Sequence, residues 1–164
     1  MFGKPLSAYV AFQKPILILI TVVWALRLAL SMAGVPVSGT KFVSVTGVVA
    51  LGALDYGWAG VGQKGFGSFK QIYGLNLVQG IFSQTLVAAA IVLAILIGRD
   101  NIDTIPEFYP PSAGHDPLGL PPDGKNFGHV LAHIFVAGAI LMPIVGWLLG
   151  SLVHLATRKT ARPA

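Results

Sequence analysis

The chain has 164 residues, 54% of them hydrophobic and 10% charged, with a formal net charge of +5 and no cysteine. So little charge, with a mean hydropathy of +0.75, excludes an ordinary soluble domain and points to a chain solvated by lipid. The missing cysteines exclude disulfides, thiolate zinc sites, iron–sulfur clusters and cysteine nucleophiles.

Each membrane span takes about 20 residues, so the length suits one compact unit of about four helices. The expected architecture is all-α: an integral membrane four-helix bundle over residues 1–164, a single domain, with a proline-rich extramembrane loop between the third and fourth helices. Residues 1–14 read as a short basic lead with Phe2, Tyr9 and Phe12, suited to lying along the headgroups. Pro15 opens the first apolar run, giving a span over about residues 15–34. Lys14 before this run and Ser31-Met32-Ala33 near its end resemble a signal peptide, but the run is long for one and carries Arg27, which favours a retained span.

A turn over residues 34–41 leads to a second span, residues 42–61, rich in Gly47, Gly52, Gly57 and Gly60. Small residues let helices approach closely in lipid, so this span is expected at the centre of the bundle. Residues 62–74 read as a glycine-rich basic loop that lacks a phosphate-binding pattern. The third span, residues 75–98, carries Asn76, Gln79 and Ser83 at helical spacing on one face. The connection of residues 99–126 holds Pro106, Pro110, Pro111, Pro117, Pro121 and Pro122 and most of the carboxylates, and is expected to cap the bundle. The fourth span, residues 127–157, is interrupted only by His129, His133 and His154 and closed by Arg158, Lys159 and Arg162.

Four spans put Lys4, Lys14, Lys64, Lys70, Arg158, Lys159 and Arg162 on one side, and Lys41, Arg99 and Lys125 on the other. The excess of basic residues places both termini in the cytoplasm, in keeping with a bacterial inner (plasma) membrane. It also accounts for a pI near 9.8 through anionic lipid rather than nucleic acid.

Several groups have chemical potential. Arg27 and Asp55, counted from the starts of spans one and two, differ in depth by about 6 Å, so an intramembrane ion pair is expected. The face of Asn76, Gln79 and Ser83 either lines a small cavity or bonds across helices. His129 and His133, spaced i, i+4, are candidate metal ligands with His115 or Asp116 of the loop, although Val130 stands where a zinc protease needs glutamate. His133 and His154 lie 21 residues apart, about 31 Å along one helix, so a bis-histidine haem held within this chain is excluded. Pro143 should kink the fourth span, and Gly146 and Gly150 form a GxxxG pair that marks a close helix contact, within the bundle or between subunits.

These features favour a non-enzymatic accessory or structural subunit of a membrane complex, in contact with lipids and with other subunits or further copies of itself. The alternatives are a metal- or redox-associated membrane protein using the His129–His133 pair, and a small oligomeric proton-coupled carrier using Arg27 and Asp55. Any cofactor stays unassigned beyond the possible metal.

Overall fold

A computed structural model describes residues 1–40, 43–105 and 125–160, and every regular element among them is helical. Four helices are long and apolar enough to cross a membrane.

The first runs over Leu6–Met32 with Pro15 inside it. The expected headgroup lead is therefore corrected: from Leu6 onward it forms the opening turns of the first helix, and Tyr9 and Gln13 are buried. Proline costs this helix one backbone bond, a loss that packing against neighbouring helices can absorb. The Tyr9 hydroxyl donates to the Met1 carbonyl at 3.1 Å, tying down the chain start.

The second helix begins at Ser44, whose side chain accepts from the Gly47 amide, runs over Val45–Asp55 and continues without a break as a π-helical stretch, Tyr56–Gln63. The third spans Phe69–Ile97, six residues earlier than the apolar run suggests, because Ser68 and Gln71 form a capping box that starts it. It ends at Gly98, whose φ of +66° is the left-handed conformation in which glycine is the least strained residue. The fourth is composite: Phe127–Leu131, a π-helical stretch Ala132–Leu141, and Met142–Thr160. Pro143 follows directly on the widened turns, which relieve the clash of its ring with the carbonyl four residues back.

Successive helices run in opposite directions, as cross-helix neighbours show. The Tyr56 hydroxyl donates to Gln13 Oε1 at 2.9 Å, and Gln79 Nε2 donates to the Val49 carbonyl at 2.9 Å. A Cβ on Gly146 would run into Asn76, and one on Gly80 would meet the Gly138 carbonyl at 2.7 Å. The core is layered along the bundle: Tyr9, Tyr56 and Leu75 at the end holding the chain start, Ile20, Val45 and Val49 in the middle, and Val87, Ala88, Ile91 and Val130 at the far end. The centre expected of the second helix is shared with the third; 47% and 44% of their apolar windows are buried, against 17% and 22% for the first and fourth.

Candidate functional site

The third helix carries the polar interior. Asn76, Gln79, Ser83 and Gln84 are all buried. Residues 76, 80 and 84 recur every four positions and so form one stripe, which the structure turns toward the fourth helix. There Asn76 meets Gly146, Gly80 meets Gly138 and Gln84 meets His133. Gln79 points instead at the second helix, lying against Gly52 and bonding Val49. Ser83 Oγ donates to the Gly80 carbonyl of its own helix, and Asn76 Nδ2 to that of Ile72. The expected polar face thus divides between two neighbours and packs helices together. Gln84, which the spacing of 76, 79 and 83 passes over, is the member that touches a titratable group; its signal was the four-residue step from Gly80.

The GxxxG pair lies inside the bundle. A Cβ on Gly150 would come within 2.7 Å of the Ala53 carbonyl, and one on Gly57 would fall onto the Gly150 backbone, so these two helices meet backbone to backbone. Beside that crossing the His154 Nδ1–H donates to the Gly57 carbonyl at 3.2 Å, and its ring meets the edge of Phe69 at 5.2 Å between centres.

Arg27 and Asp55 are not brought together. Asp55 adjoins Tyr56, which bonds Gln13; Arg27 is 14 residues further along the first helix, about 21 Å at the helical rise. The expected 6 Å offset assumed a helix starting near Pro15, and a start at Leu6 moves Arg27 to the far end. A carboxylate within electrostatic reach of Arg27 is that of Asp103. Burial raises the Asp103 carboxyl to about 6, against the opposing pull of the Arg27 charge.

The segment after Gly98 folds back over that end. Asn101 is fully buried and donates through Nδ2 to the Ala90 carbonyl at 2.7 Å, and its Oδ1 accepts from the Asp103 amide. Lys125 Nζ lies 2.9 Å from Asp100 Oδ1, closing the connection between the third and fourth helices. The hydrogen bond from Lys125, followed by one from Thr104, holds the Asp100 carboxyl below its usual range despite partial desolvation.

His129 and His133 come together here. Asn126 caps the fourth helix by accepting from the His129 amide at 2.8 Å, which fixes the first turn. The Nε2 atoms of the two histidines are 3.0 Å apart, and His133 Nδ1 is 2.6 Å from Gln84 Oε1. His115 and Asp116, the expected additional ligands, lie outside the described residues, as does residues 106–124 of the expected cap. Among the described residues no third histidine or carboxylate joins the pair. His154 sits at the opposite end of the same helix. No family model matches the chain, and no curated protein or solved structure matches it either.

Proposed function

We propose that the chain is an integral membrane protein of four spans with both termini cytoplasmic, serving as a non-enzymatic subunit or accessory module of a membrane complex. The inside-out distribution of polarity carries this reading. Gln13, Asn76, Gln79, Ser83 and Gln84 are buried, whereas Ile18, Leu19 and Val22 of the first helix and Phe135, Ile140 and Val145 of the fourth are exposed. Water would favour the reverse arrangement; a hydrocarbon solvent favours this one, because buried amides and hydroxyls find partners within the bundle, on their own helix or a neighbour.

The interior polar groups support a scaffolding role, since Gln79, Gln13 and Tyr56 are used in bonds between helices. The basic rim at the chain start supports this orientation. Lys4 Nζ lies 4.9 Å from the Phe66 ring centre and Lys64 Nζ 5.5 Å from that of Phe12, so two lysines distant in sequence share one aromatic platform. Such a rim suits the cytoplasmic leaflet and its anionic lipids.

Single cysteines introduced into this cysteine-free chain test the threading. Lys64→Cys should react with an impermeant thiol reagent only from the cytoplasmic side, and Arg99→Cys only from the other; labelling of both from one side would overturn it. The subunit reading expects the chain to migrate in a larger assembly after mild detergent extraction from its native membrane. Recovery of the isolated chain alone would count against it.

A further inference from the structure

The geometry of the histidine pair points to a ligand of definite chemistry, independently of the subunit reading. Gln84 Oε1 can only accept, so the 2.6 Å contact requires the proton of His133 on Nδ1, leaving its Nε2 as a bare lone pair. That lone pair faces His129 Nε2 at 3.0 Å. An imidazole nitrogen binds a metal ion at about 2.0–2.1 Å, which puts two ligands at right angles about 2.8–3.0 Å apart and two at the tetrahedral angle about 3.3–3.4 Å apart.

The rings give a second measure. Two imidazoles at right angles on one ion place their centres about 4.6 Å apart, whereas rings joined nose to nose by a straight N–H···N bond place them about 5.3 Å apart. The centres of His129 and His133 are 4.7 Å apart, with the rings inclined at 49°. Without an ion the His129 Nε2–H donates to the His133 lone pair; both distances also match two nitrogens on adjacent corners of a square, which an ion that displaces that proton would meet together. Phe127 and Gly128, just before the pair, are exposed, which sets the pair at the rim of the bundle. An acceptor on the distal ring nitrogen that fixes the tautomer is the usual outer-shell support of a metal-binding histidine.

We infer that His129 and His133 form a two-imidazole site for a divalent transition metal of tetragonal geometry, copper(II) or nickel(II), with Gln84 as the residue that positions His133. The ion would occupy two adjacent corners of a square set on the rim of the bundle, its other positions held by water. The π-helical stretch that starts at Ala132 carries His133, so the local widening of the helix sets the angle at which the two rings meet.

The test uses the full-length protein in detergent, stripped with a chelator and titrated with copper(II), nickel(II) and zinc(II). One copper(II) per chain should bind, with a paramagnetic resonance spectrum showing two equivalent nitrogens. His129→Gln and His133→Ala should each lower affinity at least about tenfold and reduce the spectrum to one nitrogen or none. Gln84→Leu should weaken binding by about tenfold, and Gln84→Glu, which keeps the acceptor, should restore it. His154→Ala serves as the control and should leave affinity and spectrum unchanged. A two-nitrogen spectrum that survives in a monodisperse His129→Gln protein would overturn the site. Zinc(II) binding far tighter than nickel(II) would overturn its tetragonal geometry.

Discussion

The two π-helical stretches, Tyr56–Gln63 and Ala132–Leu141, are built alike and used differently. Each includes a glycine set against another helix: Gly57 against Gly150, and Gly138 against Gly80. Each also has a histidine beside it. In the first, the histidine comes from the facing helix, and His154 spends its Nδ1 proton on the Gly57 carbonyl. In the second, the histidine belongs to the stretch itself, and His133 spends its Nδ1 proton on Gln84, leaving Nε2 to face His129. Wide turns are seldom found outside functional or strained positions. The contrast teaches that the same backbone device can close a helix crossing when a neighbour satisfies it, and present a chemical group when the imidazole stands within it.

That contrast can be broken most forcefully at the crossing glycines. A methyl group on Gly150 meets the Ala53 carbonyl at 2.7 Å and Ile72 at 2.8 Å, both from elements fixed by their own helices. Gly150→Ala should therefore cost about 2–3 kcal/mol in reversible unfolding in detergent. Gly138→Ala meets Gln84 Cβ at 3.0 Å and the His133 and Gly80 carbonyls at 3.2 and 3.3 Å, and should cost about 1 kcal/mol, because these approaches are milder than those at Gly150. Equal losses would mean that both stretches are packing devices of one kind.

His154→Ala comes next in size. It removes a buried ring, its contact with Phe69 and its bond to Gly57, at a cost of about 1–3 kcal/mol. The same change in the other pair, at the half-buried His129, should cost under about 1 kcal/mol. Thermal melts of the two variants side by side would check this; a larger loss for His129 would reverse the roles assigned to the two ends.

Much of the framework was legible in the sequence because helices long and apolar enough to cross a membrane announce themselves by length and apolarity: all four apolar runs coincide with helices. Their ends were harder to read. Pro15 looked like a first-turn residue but lies inside the first helix, since proline's lost bond is tolerable where other helices pack around it. Ser68 and Gln71 carried a capping signal, masked by the glycines around them. The site was legible in part: the i, i+4 spacing of His129 and His133 put them on one face, and Asn76, Gln79 and Ser83 were seen to share a helix side. Gln84, Asn101 and Asp103 escaped notice because what defines them is a partner distant in sequence: His133, Ala90 and Arg27. The π-helical turns have no recognisable residue pattern, so the ring geometry they set could be read only in three dimensions.

The smallest expected effect lies at the histidine-bearing end, in the turn that follows Gly98. The Asp103 carboxyl is half-buried and its Oδ2 has no hydrogen-bond partner among the described residues, so desolvation raises its affinity for a proton to about 6 while Arg27 opposes the shift. A carboxyl whose folded value exceeds its ordinary 3.8 binds the proton more tightly in the folded segment than in the open one. Its protonated form therefore favours closure below about pH 4, and that contribution is lost as pH rises through about 6. After correction for intrinsic exchange rates, amide hydrogens of residues 100–105 should be better protected at pH 5 than at pH 7.5, and Asp103→Asn should remove the difference. The amides around Gly57 carry no such carboxyl in their bonds and should show no matching change. Equal pH dependence at both ends would place the effect in the bundle as a whole, whereas a change confined to residues 100–105 ties it to the burial of Asp103, against the pull of Arg27, and sets that end apart as the one that responds to its surroundings.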